Sequence, residues 1–267
     1  MNETGLGRSG PLVYSLAGII VLFLMMPLLL PIVLSISDTP FVTFPPKGFT
    51  LEWYGKVLAD QDFTSSFSFS VLLSSCAAIG AVLLGTPAAI GLVRLSFPGK
   101  GVIQALVLSP LIFPTLVTGI ALLRLFSSIG SNDAFVNLVI GHVLVTAPYV
   151  VRTVSASLVT VDPGLEEAAR TLGAPRIVAF WRVTRPQIMP GLVAGALFAF
   201  VTSFDNYAVS MWLFDASHVP LPMMMISLIS RMFDPGIAAI ASLMIFFSLF
   251  MVLVLERIAG LRRAMSF

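Results

Sequence analysis

The residue types that catalyse reactions or bind metals are few in this sequence and stand far apart. Its two histidines are His142 and His218, and its one cysteine, Cys76, lies in an apolar run. A protein metal site usually needs about three or four ligands, and nucleophilic catalysis needs a nucleophile beside a base. The sequence therefore predicts no catalytic residues, no metal site, no internal disulfide and no cofactor held by this chain.

The most informative polar segment is the connection formed by residues 152–186, which separates two apolar regions. Asp162 can cap a helix whose first residue is Pro163. Gly173 can end that helix, and Pro175 can begin a second one in a new direction. We expect two short helices joined by a sharp turn.

The first of these helices has a face that combines apolar and small residues, with charged residues beside it. The face holds Leu165, Ala168, Ala169 and Leu172, and the flanking charges are Glu166, Glu167 and Arg170. Two interpretations fit this pattern. The hairpin is either a plug shaped for the groove of a partner protein, or an amphipathic element lying on the inner leaflet with its arginines on anionic lipid.

The surrounding chain has the composition of a membrane protein. Hydrophobic residues make up 57% of it and charged residues only 10%, against about 25% charged in soluble domains. Apolar runs long enough to cross a bilayer predict six spans, at 12–36, 67–93, 102–126, 135–151, 187–207 and 237–255. Residues 208–236, which are broken by prolines and acids, are expected to form an external or re-entrant segment. The predicted fold is an all-α transmembrane bundle.

Small residues predict where these spans pack together. Ala77, Ala81, Gly85 and Ala89 recur every four residues in the second span, and Gly191 and Gly195 repeat the spacing in the fifth. Such stripes let helix backbones approach closely.

Positive charge predicts the orientation. Of the 15 lysines and arginines, 11 fall on the side that holds both termini and the 152–186 connection, and this excess marks the cytoplasmic face. A formal net charge of +2 gives no reason to expect a nucleic-acid partner.

The 152–186 connection also resembles a known family. Glu167-Ala168-Ala169-x3-Gly173, followed after nine residues by Val183-Thr184-Arg185-Pro186, resembles the EAA loop of ABC-importer permeases, whose pattern is EAA-x3-G-x9-I-x-L-P. Val183 is a mild replacement for Ile, and Arg185 stands where Leu is usual. The resemblance covers roughly residues 66–258 of a single transmembrane domain, 1–267, and its coupling loop is about 152–186.

The resemblance implies a type I importer-permease fold in a bacterial inner membrane. In that family the loop docks on a separate nucleotide-binding subunit, which binds ATP and Mg. The implied partners are a second homologous permease, two ATP-binding subunits and a periplasmic substrate-binding protein. The permease itself is not an enzyme. The residues that would dock are Glu166, Glu167, Ala168, Ala169, Arg170 and Gly173.

The continuation of the chain resembles the spermidine/putrescine branch of these permeases. The resemblance lies in Gln187-Ile188-Met189-Pro190-Gly191 and in the segment from Ser203 to Ser210. Family members often have two acids where this chain has Asp205-Asn206. The candidates for the substrate pathway are Ser203, Asp205, Asn206 and Tyr207.

Asp205 lies about 19 residues beyond Pro186, or about 28 Å along a helix, near the outer end of its span. A carboxylate there is costly unless it faces water or a partner. It either attracts a cationic amine or is simply solvated at a helix end.

Other functions fit the sequence less well. The same machinery could import an opine, an amino-acid-like cation or an organophosphonate. A secondary transporter that works without ATP would place paired ionisable residues at the bilayer midplane and show repeated halves, and this sequence has neither. A membrane-embedded enzyme would need a cluster of acids and bases that the chain lacks.

Overall fold

The computed structural model describes residues 10–39, 43–231 and 235–259, and the described chain is predominantly α-helical. Two short helical turns of other types interrupt it, a 3₁₀ turn at Ser109–Leu111 and a π turn at Phe180–Thr184. The α-helices are α1 (Gly10–Leu34), α2 (Glu52–Ala59), α3 (Gln61–Arg94), α4 (Lys100–Leu108), α5 (Thr115–Ser128), α6 (Ala134–Val159), α7 (Pro163–Thr171), α8 (Arg176–Ala179), α9 (Arg185–Phe204), α10 (Tyr207–Leu213), α11 (Leu221–Arg231) and α12 (Pro235–Ala259).

Five helical segments within these ranges are long and apolar enough to cross a membrane. They are Leu12–Leu34, Gln61–Arg94, Ala134–Val159, Arg176–Phe204 and Gly236–Val254. A bent pair, Lys100–Leu111 with Thr115–Ser128, makes a sixth if it is taken as one span. The all-α fold is therefore confirmed, and each of five predicted spans overlaps one of these segments.

The third predicted span, 102–126, corresponds to the bent pair and is not one continuous helix. Its two halves meet at an angle of 102°, and the chain between them runs through Pro110 and Pro114. Proline has no N–H to continue the helix ladder, and it disfavours the helical conformation in the residue before it. Mean hydropathy is insensitive to this effect of proline on the helix, so the apolar run is predicted as one unbroken span.

Two boundaries beside the polar connection also differ from the prediction. α6 continues to Val159, well beyond the predicted end at residue 151. The second helix of the hairpin joins the fifth span in one helical run, Arg176–Phe204, whereas the predicted span begins at residue 187. The π turn makes this possible, because the Arg185 N–H bonds the carbonyl of Phe180, five residues back, just before the proline removes a donor.

The chain forms two compact units, 1–61 with 227–247 and 62–226 with 248–267. In the second unit the small-residue stripes pack as expected. Ala77, Ala81 and Ala89 are fully buried. A Cβ added at Gly85 would lie 2.9 Å from Val150 Cβ, and one at Gly195 would lie 2.9 Å from Val150 Cα. Both glycines therefore let their helices approach α6 closely.

Within the first unit, the polar atoms of Trp53 and Tyr54 in α2 form hydrogen bonds inside the protein. The Tyr54 hydroxyl lies 2.6 Å from Ser35 Oγ and 2.9 Å from Ser242 Oγ. The Trp53 indole donates to the Ser37 carbonyl at 2.9 Å. Buried hydroxyls and N–H groups need such partners, so α2 is joined by hydrogen bonds to the segment after α1 and to α12.

Candidate functional site

The hairpin helix α7 forms where local sequence signals predict it. The Asp162 side chain accepts a hydrogen bond from the Gly164 N–H at 2.8 Å, and Pro163 is the first helical residue. At the other end Gly173 has φ +92°. The Ala174 N–H bonds the Ala169 carbonyl at 3.1 Å, and the Gly173 N–H bonds the Arg170 carbonyl at 3.0 Å. This pair of bonds is a Schellman motif, in which a glycine with positive φ ends the helix.

The hairpin presents small and apolar residues on its surface. Glu167, Ala168, Arg170 and Gly173 are exposed, and Ala169 is partly buried. Leu172, at the tip, is 89% exposed. Other large apolar side chains exposed on the hairpin are Leu165, Ile177 and Trp181. Neighbouring exposed apolar groups of this kind are typical of a protein or membrane contact.

Glu166 behaves differently from its exposed neighbour Glu167. Its carboxylate accepts a hydrogen bond from the Thr184 hydroxyl at 2.6 Å and pairs with the Arg94 guanidinium. Arg94 also donates to Thr184 Oγ1 at 3.3 Å. We call these three residues the Glu166 clasp. It joins the end of α3 and the fully buried Thr184 of the π turn to the first turn of α7.

The clasp changes the acidity of Glu166. Burial raises the pKa of its carboxyl, but the hydrogen bonds from Thr184 and Arg94, with the charges of Arg94 and Arg170, outweigh burial. The net pKa lies below its ordinary value, so the clasp favours the ionised form. A cavity of about 630 Å³ adjoins the clasp. Its lining includes Val93, Arg94, Leu158, Pro163, Glu166 and Arg170.

The candidate pathway residues lie at the opposite end of α9, where two residues separate it from α10. Asp205 follows the last residue of α9 and is exposed, and Tyr207 is the first residue of α10 and is partly buried. Ser203 and Asn206 are buried, at 3% and 9% exposure. The Asn206 side chain caps α10 by accepting from the Val209 N–H at 3.0 Å. Of the four candidates, Asp205 and Tyr207 are therefore the ones open to contact.

Three residues near these sites make side-chain contacts that the sequence does not indicate. Arg94 and Thr184 form the clasp, yet they lie 72 and 18 residues from Glu166, and no local pattern connects them. His142 is fully buried. Its ring nitrogens lie 2.8 Å from Ser203 Oγ and 3.1 Å from Ser210 Oγ.

Among the residues that the structure describes, no group of three or more His, Cys, Asp or Glu is placed to hold a metal.

Residues 81–262 match the family described as "Binding-protein-dependent transport system inner membrane component". The chain is 32% identical over 230 residues to the putrescine transport system permease protein PotI of Escherichia coli (strain K12), covering 84% of this chain and 82% of that protein. It is 29% identical over 237 residues to the spermidine/putrescine transport system permease protein PotC of the same strain, covering 89% of each.

Solved structures show the same fold. A chain of a bacterial ABC transporter involved in the import of the acidic polysaccharide alginate superposes with a TM-score of 0.71. The superposition covers 97% of this chain and 98% of that chain. Sequence identity is 19%, so this likeness supports the fold of the helices and carries nothing about substrate.

Proposed function

Because the chain belongs to the family of binding-protein-dependent transport system inner membrane components, we propose that it forms half of the transmembrane pathway of an importer powered by a separate ATPase. It works with a second, homologous permease, two ATP-binding subunits and a periplasmic substrate-binding protein. ATP and Mg bind to the ATPase subunits. Both termini and the hairpin face the cytoplasm, as the lysine and arginine distribution indicates.

The observation that carries this proposal is the shape of the α7 hairpin. Its helix is capped at both ends, it presents Ala168 and Leu172 on the surface, and the Glu166 clasp joins it to α3 and to the run that continues into α9. A rigid, small-faced helix of this kind fits a groove on a partner. Force applied to it would pass directly to two spans.

The docking role is tested by association with the partner ATPase of the transporter. Ala168→Trp adds bulk to the docking face without touching the clasp, and we expect it to abolish co-purification of the ATPase while the permease still inserts in the membrane. Leu95→Trp is the matched control, because Leu95 is exposed just beyond the end of α3 and outside the hairpin. Full ATPase binding by Ala168→Trp and by a variant lacking residues 167–173 would refute the proposal.

The substrate we propose is a polyamine such as putrescine or spermidine. Support comes from the relatives, which are permeases of putrescine and spermidine/putrescine systems. Asp205 adds a carboxylate at the end of α9 that is exposed and therefore able to meet a cationic amine. An opine, an amino-acid-like cation or an organophosphonate remains the alternative cargo for the same machinery.

The substrate is tested in vesicles that contain the complete transporter and its binding protein. We expect ATP-dependent uptake of labelled putrescine, with a higher KM in Asp205→Asn than in the wild type. The control is Asp60→Asn, which removes an exposed acid between α2 and α3. If the binding protein ignores putrescine and spermidine, the polyamine assignment is wrong, and the alternative cargoes are assayed in the same vesicles.

A further inference from the structure

The break between α9 and α10 is spanned by one side chain from a third helix. His142 of α6 is fully buried. Its Nδ1 lies 2.8 Å from Ser203 Oγ, one residue before the end of α9. Its Nε2 lies 3.1 Å from Ser210 Oγ, in the middle of α10. The ring therefore contacts both sides of the two-residue break at Asp205 and Asn206.

The hydrogen bonds around the ring determine which nitrogen carries its proton. Ser210 Oγ donates its only proton to the Asn206 carbonyl at 2.5 Å. Ser210 can then bond His142 only as an acceptor, so Nε2 must carry the hydrogen. Nδ1 is left as an acceptor, and Ser203 supplies the proton for that bond. A neutral ring with one donor and one acceptor matches both serine hydroxyls.

α10 is too short to be a stable helix without contacts to the rest of the protein. It has seven residues, far fewer than the roughly 12–15 at which an isolated helix becomes even marginally stable. Apolar packing holds one side of it: Cβ atoms built at Gly119 and Gly141 would collide with Trp212 and Leu213. That packing is non-directional, whereas the bonds from His142 fix the position of α10 against the end of α9.

We propose that His142 is a positioning residue that holds the α9–α10 break in register and thereby sets where Asp205 and Tyr207 are presented to substrate. The second part of this inference, that His142 sets where Asp205 and Tyr207 are presented, rests on the proposed transport function. The first part, that His142 holds the α9–α10 break in register, concerns structure alone and can be tested without transport. We call this first part the clamp.

The clamp is tested by thiol accessibility in the assembled transporter. Cys76→Ser removes the native thiol, and Val209→Cys places a reporter thiol at a fully buried position of α10. In this background we expect His142→Leu to raise the rate of N-ethylmaleimide labelling about tenfold, as lost hydrogen bonds favour opening of the break. His142→Gln should label like the background with His142 intact, since its amide supplies both an N–H donor and a carbonyl acceptor.

A matched control comes from the same helix. Thr146 is also fully buried, but its hydroxyl bonds the carbonyls of His142 and Val143 within α6. Thr146→Val should leave labelling of the reporter thiol unchanged. If His142→Leu does not reach the membrane, the pair Ser203→Ala and Ser210→Ala removes the same two bonds and should give the same rise.

The transport half is measured separately, with Val209 and Cys76 restored. We expect His142→Leu to raise the KM for putrescine about tenfold at an unchanged ATPase content of the complex, and His142→Gln to restore it. Unchanged labelling in His142→Leu overturns the clamp. Increased labelling with an unchanged KM overturns the link to substrate. Absence of putrescine uptake in the wild type rejects the polyamine assignment and leaves the labelling result to decide the clamp.

Discussion

Arg94, at the end of α3, and Glu166, in the first turn of α7, form an ion pair across 72 residues of sequence. Both side chains are largely buried, at 26% and 18% exposure, and Thr184 bonds each of them. A partly desolvated pair with a third hydrogen-bonding partner is stronger than a surface ion pair. It gives the hairpin a fixed attachment to the helices that it is proposed to move.

The clasp predicts different effects for two adjacent glutamates. Glu166→Ala leaves Arg94 and Thr184 without their partner and should lower the free energy of unfolding by about 1–3 kcal/mol. Glu167→Ala removes the same charge from an exposed position and should change it by less than about 0.5 kcal/mol. Thermal unfolding in detergent, followed by tryptophan fluorescence, measures both. Equal effects of the two substitutions would mean that the clasp contributes no stability.

The lowered pKa of Glu166 predicts how the stabilisation varies with pH. In the unfolded chain this carboxyl has its ordinary pKa of 4.5, and in the folded chain the pKa is lower. The clasp therefore stabilises fully above pH 4.5, and the contribution is lost as pH falls through the lower, folded value. The stability difference between wild type and Glu166→Ala should be constant from about pH 6 to 8 and should shrink below pH 4.5. A difference that grows on acidification would contradict this assignment.

The turn after α7 gives a third prediction, which concerns Gly173. At φ +92° a residue with a Cβ is strained, and a β-branched one most of all. Gly173→Val should destabilise the hairpin by about 1–2 kcal/mol and weaken ATPase binding, while Gly173→Asn should be milder. Steric collision with neighbouring atoms would not explain a difference between the two variants, because a Cβ at this position meets nothing within 4 Å. ATPase co-purification and protease cleavage at residues 172–175 measure the effect.

The parts of this structure that the sequence predicts are those with local causes. Asp162, Pro163 and Gly173 signal the start and end of α7 through capping and backbone preference, which act within a few residues. The stripe that includes Ala81 and Gly85 marks a packing face because helical spacing alone brings its residues to one side. Apolar length identifies the spans for the same reason.

The parts that the sequence does not predict depend on distant contacts or on geometry. Nothing near Arg94 indicates that it pairs with Glu166, and nothing near His142 indicates which serines it bonds. The 102° bend has a local signal in Pro110 and Pro114, but a hydropathy average conceals it. The fifth span extends back to Arg176 because a π turn accommodates Pro186. No residue pattern in the sequence predicts such a turn.

The last prediction compares two glycines of α3 that differ only in what they face. A Cβ at Gly85 would lie 2.9 Å from Val150 Cβ and 3.2 Å from the carbonyl oxygen of Ala147, whereas a Cβ at Gly91 meets nothing within 4 Å. Gly85→Ala should therefore force α3 away from α6 and destabilise the protein by about 1–3 kcal/mol. Gly91→Ala should be neutral or stabilise by up to about 1 kcal/mol, because alanine favours a helix.

Val150→Ala in the Gly85→Ala background should recover part of the loss by removing the two methyl groups of the valine. Thermal unfolding of the single and double variants measures the coupling, and equal effects at residues 85 and 91 would show that the close approach to α6 does not limit packing there.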